Sequence, residues 1–358
     1  MKKEEKELFK ALCSFKSDRF DDSLLAFATP AVLGNLFFNR MHGVAYGTLS
    51  KHGLLGKVNR EFKNSLFIGY NQGIERNSSF YSCVEYVGNI LESSGCRYAM
   101  LKGAYLCRLY PRGYRTSNDI DILTEQGNVT DIARALESAG FGRGYIRNGE
   151  FEPATRREII ESKMMRGETV PFIKEVGLEG MRFLEVDINF SLDYKPNDRD
   201  LPGKMIAGSK IRKIDDFSVR TLRRDDFFIH LCAHLYKEAT TLPWVEMMRD
   251  MTMYKYMDIY MLLSGADKDM TDRIFERARE LSLEKMCAFA IIQTAALFDF
   301  DNVHALSAAR DILKDDLKFI NTVVSPSEHK TYVYREKDVE KRFFSDNRRA
   351  LLEEVGIQ

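Results

Sequence analysis

The sequence predicts an α+β protein, in which a compact α/β unit near residues 97–200 is set between two helical regions. Three observations lead there. Apolar residues recur at three- and four-residue spacing up to about Ser94, the pattern breaks into short alternating runs after Gly95-Cys96, and helical spacing returns from Leu222. At 358 residues the chain exceeds one average domain. The expected boundaries are 1–96 for a helical N-terminal region, 97–200 for the α/β core and 201–358 for a helical C-terminal region.

In the first region, Leu24, Leu25, Phe27, Val32, Leu33, Leu36 and Phe37 keep helical spacing, and residues 59–94 do likewise. The run Arg97-Tyr98-Ala99-Met100-Leu101 then reads as a short strand that stops at a turn, Lys102-Gly103. Residues 104–110 suit two helical turns ended by Pro111, and Asp119-Ile120-Asp121-Ile122-Leu123 alternates as a half-buried strand does. Residues 128–139 suit a helix with Asn128 as its cap and Gly140 as its stop. Further strands are expected at 144–147, 170–176 and 182–192. Helices are expected at 225–238, 244–264, 270–281 and 283–297, and residues 336–355 suit a charged amphipathic helix.

Composition narrows the function classes. With 53 basic and 53 acidic residues, the chain has no overall field to gather polyanions, which disfavours nucleic acid or a membrane surface as partner. Six cysteines stand singly, without the close pairs of a zinc site or the density of a disulfide scaffold. The N-terminus lacks the apolar core of a secretory signal, and no run of about 18 apolar residues occurs, so the expected location is the cytoplasm.

The chemistry concentrates at Asp119 and Asp121. Residues two apart on a strand share a face, so these carboxylates stand side by side while Ile120 and Ile122 face the core. Two adjacent like charges force one group to keep its proton unless a cation neutralises both, and carboxylate ligands suit Mg²⁺. A third carboxylate, Asp187, lies on another alternating run and shares a face there with Glu185 and Asn189. If the two strands are neighbours, the three acids converge as ligands for two ions, the template for displacement at phosphorus. Upstream, Gly103 in a strand-to-helix turn is placed to let phosphate approach the backbone, with Lys102 as a point charge and Arg115 as a fork for phosphate or a brace for the carboxylates. A calcium loop beginning at Asp119 fails because Thr130 would take its twelfth position.

The order of strand, glycine-containing turn, short helix, Asp-x-Asp strand and later single Asp resembles the DNA polymerase β-like nucleotidyltransferase superfamily. Within it, Met100-Leu101-Lys102-Gly103-Ala104, Arg115 and Asn118-Asp119-Ile120-Asp121-Ile122-Leu123 are similar to a largely uncharacterised bacterial nucleotidyltransferase family. The likeness extends over about residues 20–290, including Met41-His42-Gly43-Val44-Ala45 and the helix bearing His230 and His234. It implies a small core with a mixed, largely antiparallel sheet. It also implies metal ligation by Asp119, Asp121 and Asp187, and phosphate binding at Gly103.

The implied reaction moves a nucleoside monophosphate from a nucleoside triphosphate, ATP first among them, to an acceptor, a small-molecule hydroxyl in the first instance, and pyrophosphate leaves. Two Mg²⁺ ions are expected, with Mn²⁺ as the substitute. His230, His234 and Lys237 share one helical face and are assigned by the likeness to the substrate cleft, which the C-terminal helices are expected to close; Asp250 and Asp258 are further candidates for a polar contact there.

Two departures stand out. Lys102-Gly103 replaces the Gly-Ser of the wider superfamily, and Asn189 stands where the nearer family has His. They support an alternative, a nucleotide- or partner-binding module with little turnover. A metal-dependent phosphohydrolase acting on water is the third reading.

Overall fold

A computed structural model describes residues 1–192, 200–214 and 217–357. The chain forms two compact units, one of residues 71–227 and one that combines residues 1–70 with 228–358. No helix among the described residues is long and apolar enough to cross a membrane.

The unit of residues 71–227 is built on a mixed sheet. Its strands are β1 (Tyr98–Met100), β2 (Asp119–Thr124), β3 (Gly142–Arg147), β4 (Glu150–Pro153), β5 (Phe172–Leu178), β6 (Met181–Asn189), β7 (Lys210–Ile214) and β8 (Phe217–Thr221). They lie in the order β4-β3-β5-β6-β2-β1-β8-β7. Pairing is parallel at β6–β2 and β1–β8 and antiparallel elsewhere in the sheet, as the resemblance implied.

The helix Arg60–Ser93 lends this unit its C-terminal half. Phe80, Val84, Val87 and Leu91 follow the four-three-four spacing of one helical face, and that face joins the same apolar cluster as Ile120 and Ile122. The two isoleucines are fully buried, so the period-2 pattern of β2 has its expected cause. Helix Val129–Ser138 adds Ile132 and Leu136 to the cluster. Asn128 does not cap it with its side chain; the amide donates instead to the Arg97 carbonyl at 3.3 Å, tying the helix start to the chain before β1.

The other unit is mainly helical, with Lys3–Cys13, Pro30–Phe38 and His42–Lys51 from the N-terminal region and Met253–Leu263, Lys268–Glu280, Glu284–Leu297 and Val303–Leu313 from the C-terminal one. It also carries a sheet that helical spacing did not announce: β9 (Thr322–Ser325), β10 (Lys330–Tyr334) and β11 (Leu352–Ile357), in the order β11-β10-β9.

The helix expected over 336–355 is corrected accordingly. Only Val339–Phe343 is α-helical there, a 3-10 turn follows at Arg349–Leu351, and the end of the segment is β11. Pairing Leu352 opposite Tyr334 satisfies the β11 backbone and places both residues with Val323 and Val245 in a small apolar cluster, a gain that an isolated charged helix does not offer.

The helix expected over 244–264 is broken too, into Leu242–Glu246 and Met253–Leu263. Between them Met248 adopts φ 59°, its carbonyl accepts from Arg348 at 2.7 Å, and fully buried Asp250 meets Arg348 Nε at 2.8 Å and the Tyr334 hydroxyl at 3.3 Å. Asp250 is thus one half of an interior ion pair, and its expected place in a cleft gives way to a structural one.

Candidate metal and phosphate site

The acids expected to act together are brought together by strand register. β2 and β6 run parallel, with Asp119 opposite Glu185 and Asp121 opposite Asp187. One ligand oxygen from each of Asp119, Asp121 and Asp187 lies within 4.8 Å of the others. β1 runs antiparallel to β2, and the Leu101 N–H donates to the Asp121 carbonyl at 2.9 Å, so the turn after β1 opens beside the start of β2.

Lys102 occupies the first central position of that turn, which the Ala104 N–H closes onto the Leu101 carbonyl at 3.2 Å. Its φ of 42° and ψ of −117° belong to the region that type II′ turns usually give to glycine. The Lys102 ammonium reaches Asp121 Oδ1 at 2.7 Å, and the Asn189 amide lies 3.5 Å from the same oxygen. Lys102 was expected to face phosphate; in this structure it pairs with a carboxylate of the site.

Gly103 is also required by close packing. A Cβ at this residue would lie 2.2 Å from Ser117 Oγ and 2.4 Å from Ser117 Cβ, so the space left by the missing side chain is filled by Ser117. The Ser117 hydroxyl donates to Asp119 Oδ1 at 3.1 Å and thereby holds that carboxylate. We predict that Gly103→Ala destabilises the protein by about 1–3 kcal/mol, the range for overpacking. Adding Ser117→Gly is expected to recover most of that loss, and urea denaturation of the two single variants and the double variant checks the coupling.

Arg115 is buried on the segment leading to β2, donates to the adjacent Thr116 carbonyl, and its own carbonyl accepts from the Asn77 amide at 2.9 Å. These contacts brace the approach to Asp119. His230, His234 and Lys237 belong to the helical unit, whereas all three convergent carboxylates belong to the sheet unit. The two histidine rings stack with centroids 6.5 Å apart, and His234 Nε2 lies 3.3 Å from Glu238, which also pairs with Lys255 at 2.6 Å.

The electrostatics follow from crowding negative charge where water is scarce. Burial lifts the Asp121 carboxyl from its usual 3.8 to about 6; Lys102 pulls it down and Asp119 pushes it up again. Burial, then Asp119 and Asp121, carries Glu185 from 4.5 to about 7. Asp187 is pushed well above the carboxylate range by burial first, then by Asp121, Glu185, Asp119 and Glu168.

Three convergent acids, all oxygen donors, two of them held above the usual carboxylate range by burial and by their acidic neighbours, fit a hard divalent cation such as Mg²⁺ or Mn²⁺. Glu168 and Ser117 were not singled out from the sequence. Ser117 had a usable signal, since it stands two residues before Asp119; Glu168 had none, because an isolated bridge to Asn189 brings it in from after the turn at Gly167.

Fold and site together define a protein that presents a carboxylate cluster, fit for a divalent cation, on two adjacent strands of a mixed sheet. A family model described as "uncharacterised nucleotidyltransferase" matches residues 30–299, and the chain belongs to that family. No curated protein matches the chain. Membership supports a general role in nucleotidyl transfer.

Proposed function

We propose that the protein is a metal-dependent nucleotidyltransferase that moves a nucleoside monophosphate from a nucleoside triphosphate, ATP first among them, to the hydroxyl of a small acceptor and releases pyrophosphate. The observation that carries this reading is the convergence of Asp119, Asp121 and Asp187 within 4.8 Å in a chain of this family.

In the proposed mechanism these three carboxylates hold Mg²⁺, with Mn²⁺ able to replace it. When bound, the cations supply Lewis-acid stabilisation of charge on phosphate oxygens. Ser117 fixes the orientation of Asp119 through its 3.1 Å hydrogen bond, so this ligand needs little reorganisation on binding. The turn at Lys102-Gly103 and the nearby Arg115 are the proposed neighbours of the triphosphate, and the acceptor hydroxyl attacks the α-phosphorus as pyrophosphate departs from it.

Calorimetry with each of the four common nucleoside triphosphates, with and without Mg²⁺, tests the proposal. Metal-dependent binding of at least one is the expected result. A folded protein that binds none would overturn it, and nucleotide hydrolysis that proceeds without any acceptor would move the assignment to a phosphohydrolase.

A further inference from the structure

Lys102 combines two features that neither packing nor turn formation requires of it. Its backbone sits at φ 42° and ψ −117°, a conformation that is strained for a residue with a Cβ. A glycine would close the same turn without that strain. The side chain that replaces it places an ammonium 2.7 Å from Asp121 Oδ1, on an oxygen of the very carboxylate expected to ligate metal. The carboxylate it meets is crowded: ligand oxygens of Asp119 and Asp187 lie within 4.8 Å of it, and Glu185 and Glu168 act electrostatically on the same cluster.

An ammonium and a divalent cation compete for such an oxygen. Both draw on its lone pairs, and positive charges held a few ångströms apart in a poorly hydrated site repel strongly. Lys102 must therefore leave Asp121 Oδ1 before that oxygen can serve a metal ion fully. The flexible four-carbon stem allows the move, and the group best able to receive the released ammonium is a polyanion arriving beside the same turn.

We propose that Lys102 is an exchangeable internal counter-ion. In the metal-free protein it neutralises Asp121; when a divalent cation enters, it yields that oxygen and pairs with the triphosphate. The proposal rests on the transferase reading and adds to it an order of events, in which the same side chain opposes metal binding alone and favours nucleotide once metal is present.

Two measurements of opposite expected sign test it. Free Mn²⁺ is followed by electron paramagnetic resonance as the ion alone is titrated into the wild type, Lys102→Met and Lys102→Gly. Calorimetry then measures a non-hydrolysable triphosphate at saturating Mn²⁺. Removing the ammonium is expected to tighten Mn²⁺ binding by about tenfold and to weaken triphosphate binding by about tenfold, the size of one differential charge contact. Lys102→Gly also relieves the backbone, so poor folding of the methionine variant would not leave the matter open. Mn²⁺ binding that is unchanged or weaker in a folded variant overturns the exchange, and an unchanged triphosphate affinity overturns the transfer to phosphate. A wild type that binds neither probe would instead defeat the transferase reading itself.

Discussion

Replacing Asp119 and Asp121 together by alanine is expected to abolish metal-dependent triphosphate binding and to lower nucleotidyl transfer by about 10³-fold or more. The size follows from the several kcal/mol of charge stabilisation that metal ions supply at phosphorus, at about 1.4 kcal/mol per tenfold in rate. The double variant removes two of the three convergent ligands at once, while Ile120 and Ile122, which carry the packing of the strand, are untouched. It is therefore expected to remain folded, and circular dichroism with calorimetry checks both halves. Undiminished triphosphate binding in the folded variant would separate the carboxylates from the reaction.

The second large effect is on stability, and its direction reverses with metal. Glu185 and Asp121 hold protons more tightly in the folded chain than in the unfolded one, at about 7 and about 6 against ordinary values of 4.5 and 3.8. The unfolded chain thus releases these protons first as the pH rises. The contribution is fully present below about pH 4 and is lost through pH 6 to 7, leaving the metal-free fold weaker by a few kcal/mol at pH 8, as an order of magnitude.

Divalent cation binds the deprotonated acids, so 10 mM Mg²⁺ is expected to raise the melting temperature by several degrees at pH 8 and by much less at pH 5. Asp187→Asn is expected to raise the melting temperature of the metal-free protein at pH 8, because it removes an acid whose ionisation burial and its acidic neighbours oppose, and to diminish the response to Mg²⁺. Thermal scans across this range decide the point; an equal Mg²⁺ response at both pH values would contradict it.

Much of the site was legible because it is built on period-2 strands. The alternation in Asp119-Ile120-Asp121-Ile122 and in Leu184-Glu185-Val186-Asp187-Ile188 reports directly which side chains share a face, and the observed pairing of Asp121 with Asp187 is what those faces anticipate. What stayed hidden depends on contacts between distant segments. The direction of the Lys102 side chain is set by Asp121 nineteen positions later, and the packing demand on Gly103 appears only when Ser117 is seen in the space beside it.

The fold was misread where tertiary pairing overrode local spacing. The charges of residues 336–355 fit a helix, yet β11 forms because β10 offers it a partner. Strands β7 and β8 were missed in the same way, although β8 lies directly beside β1.

The alignment of β2 with β6 has a consequence for how such a protein can diversify. Asp121 and Asp187 meet through the backbone ladder of neighbouring strands, and between them the chain runs through a helix, a hairpin, a second helix and β5. The strand register sets which face each of these two carboxylates takes. Loops in the excursion can lengthen, shorten or change character without moving either carboxylate, whereas one residue inserted within β6 ahead of Asp187 would turn it to the opposite face. A lineage carrying this arrangement is free to remodel most of the intervening sequence, while its tolerance for insertion or deletion within the two strands is close to nil.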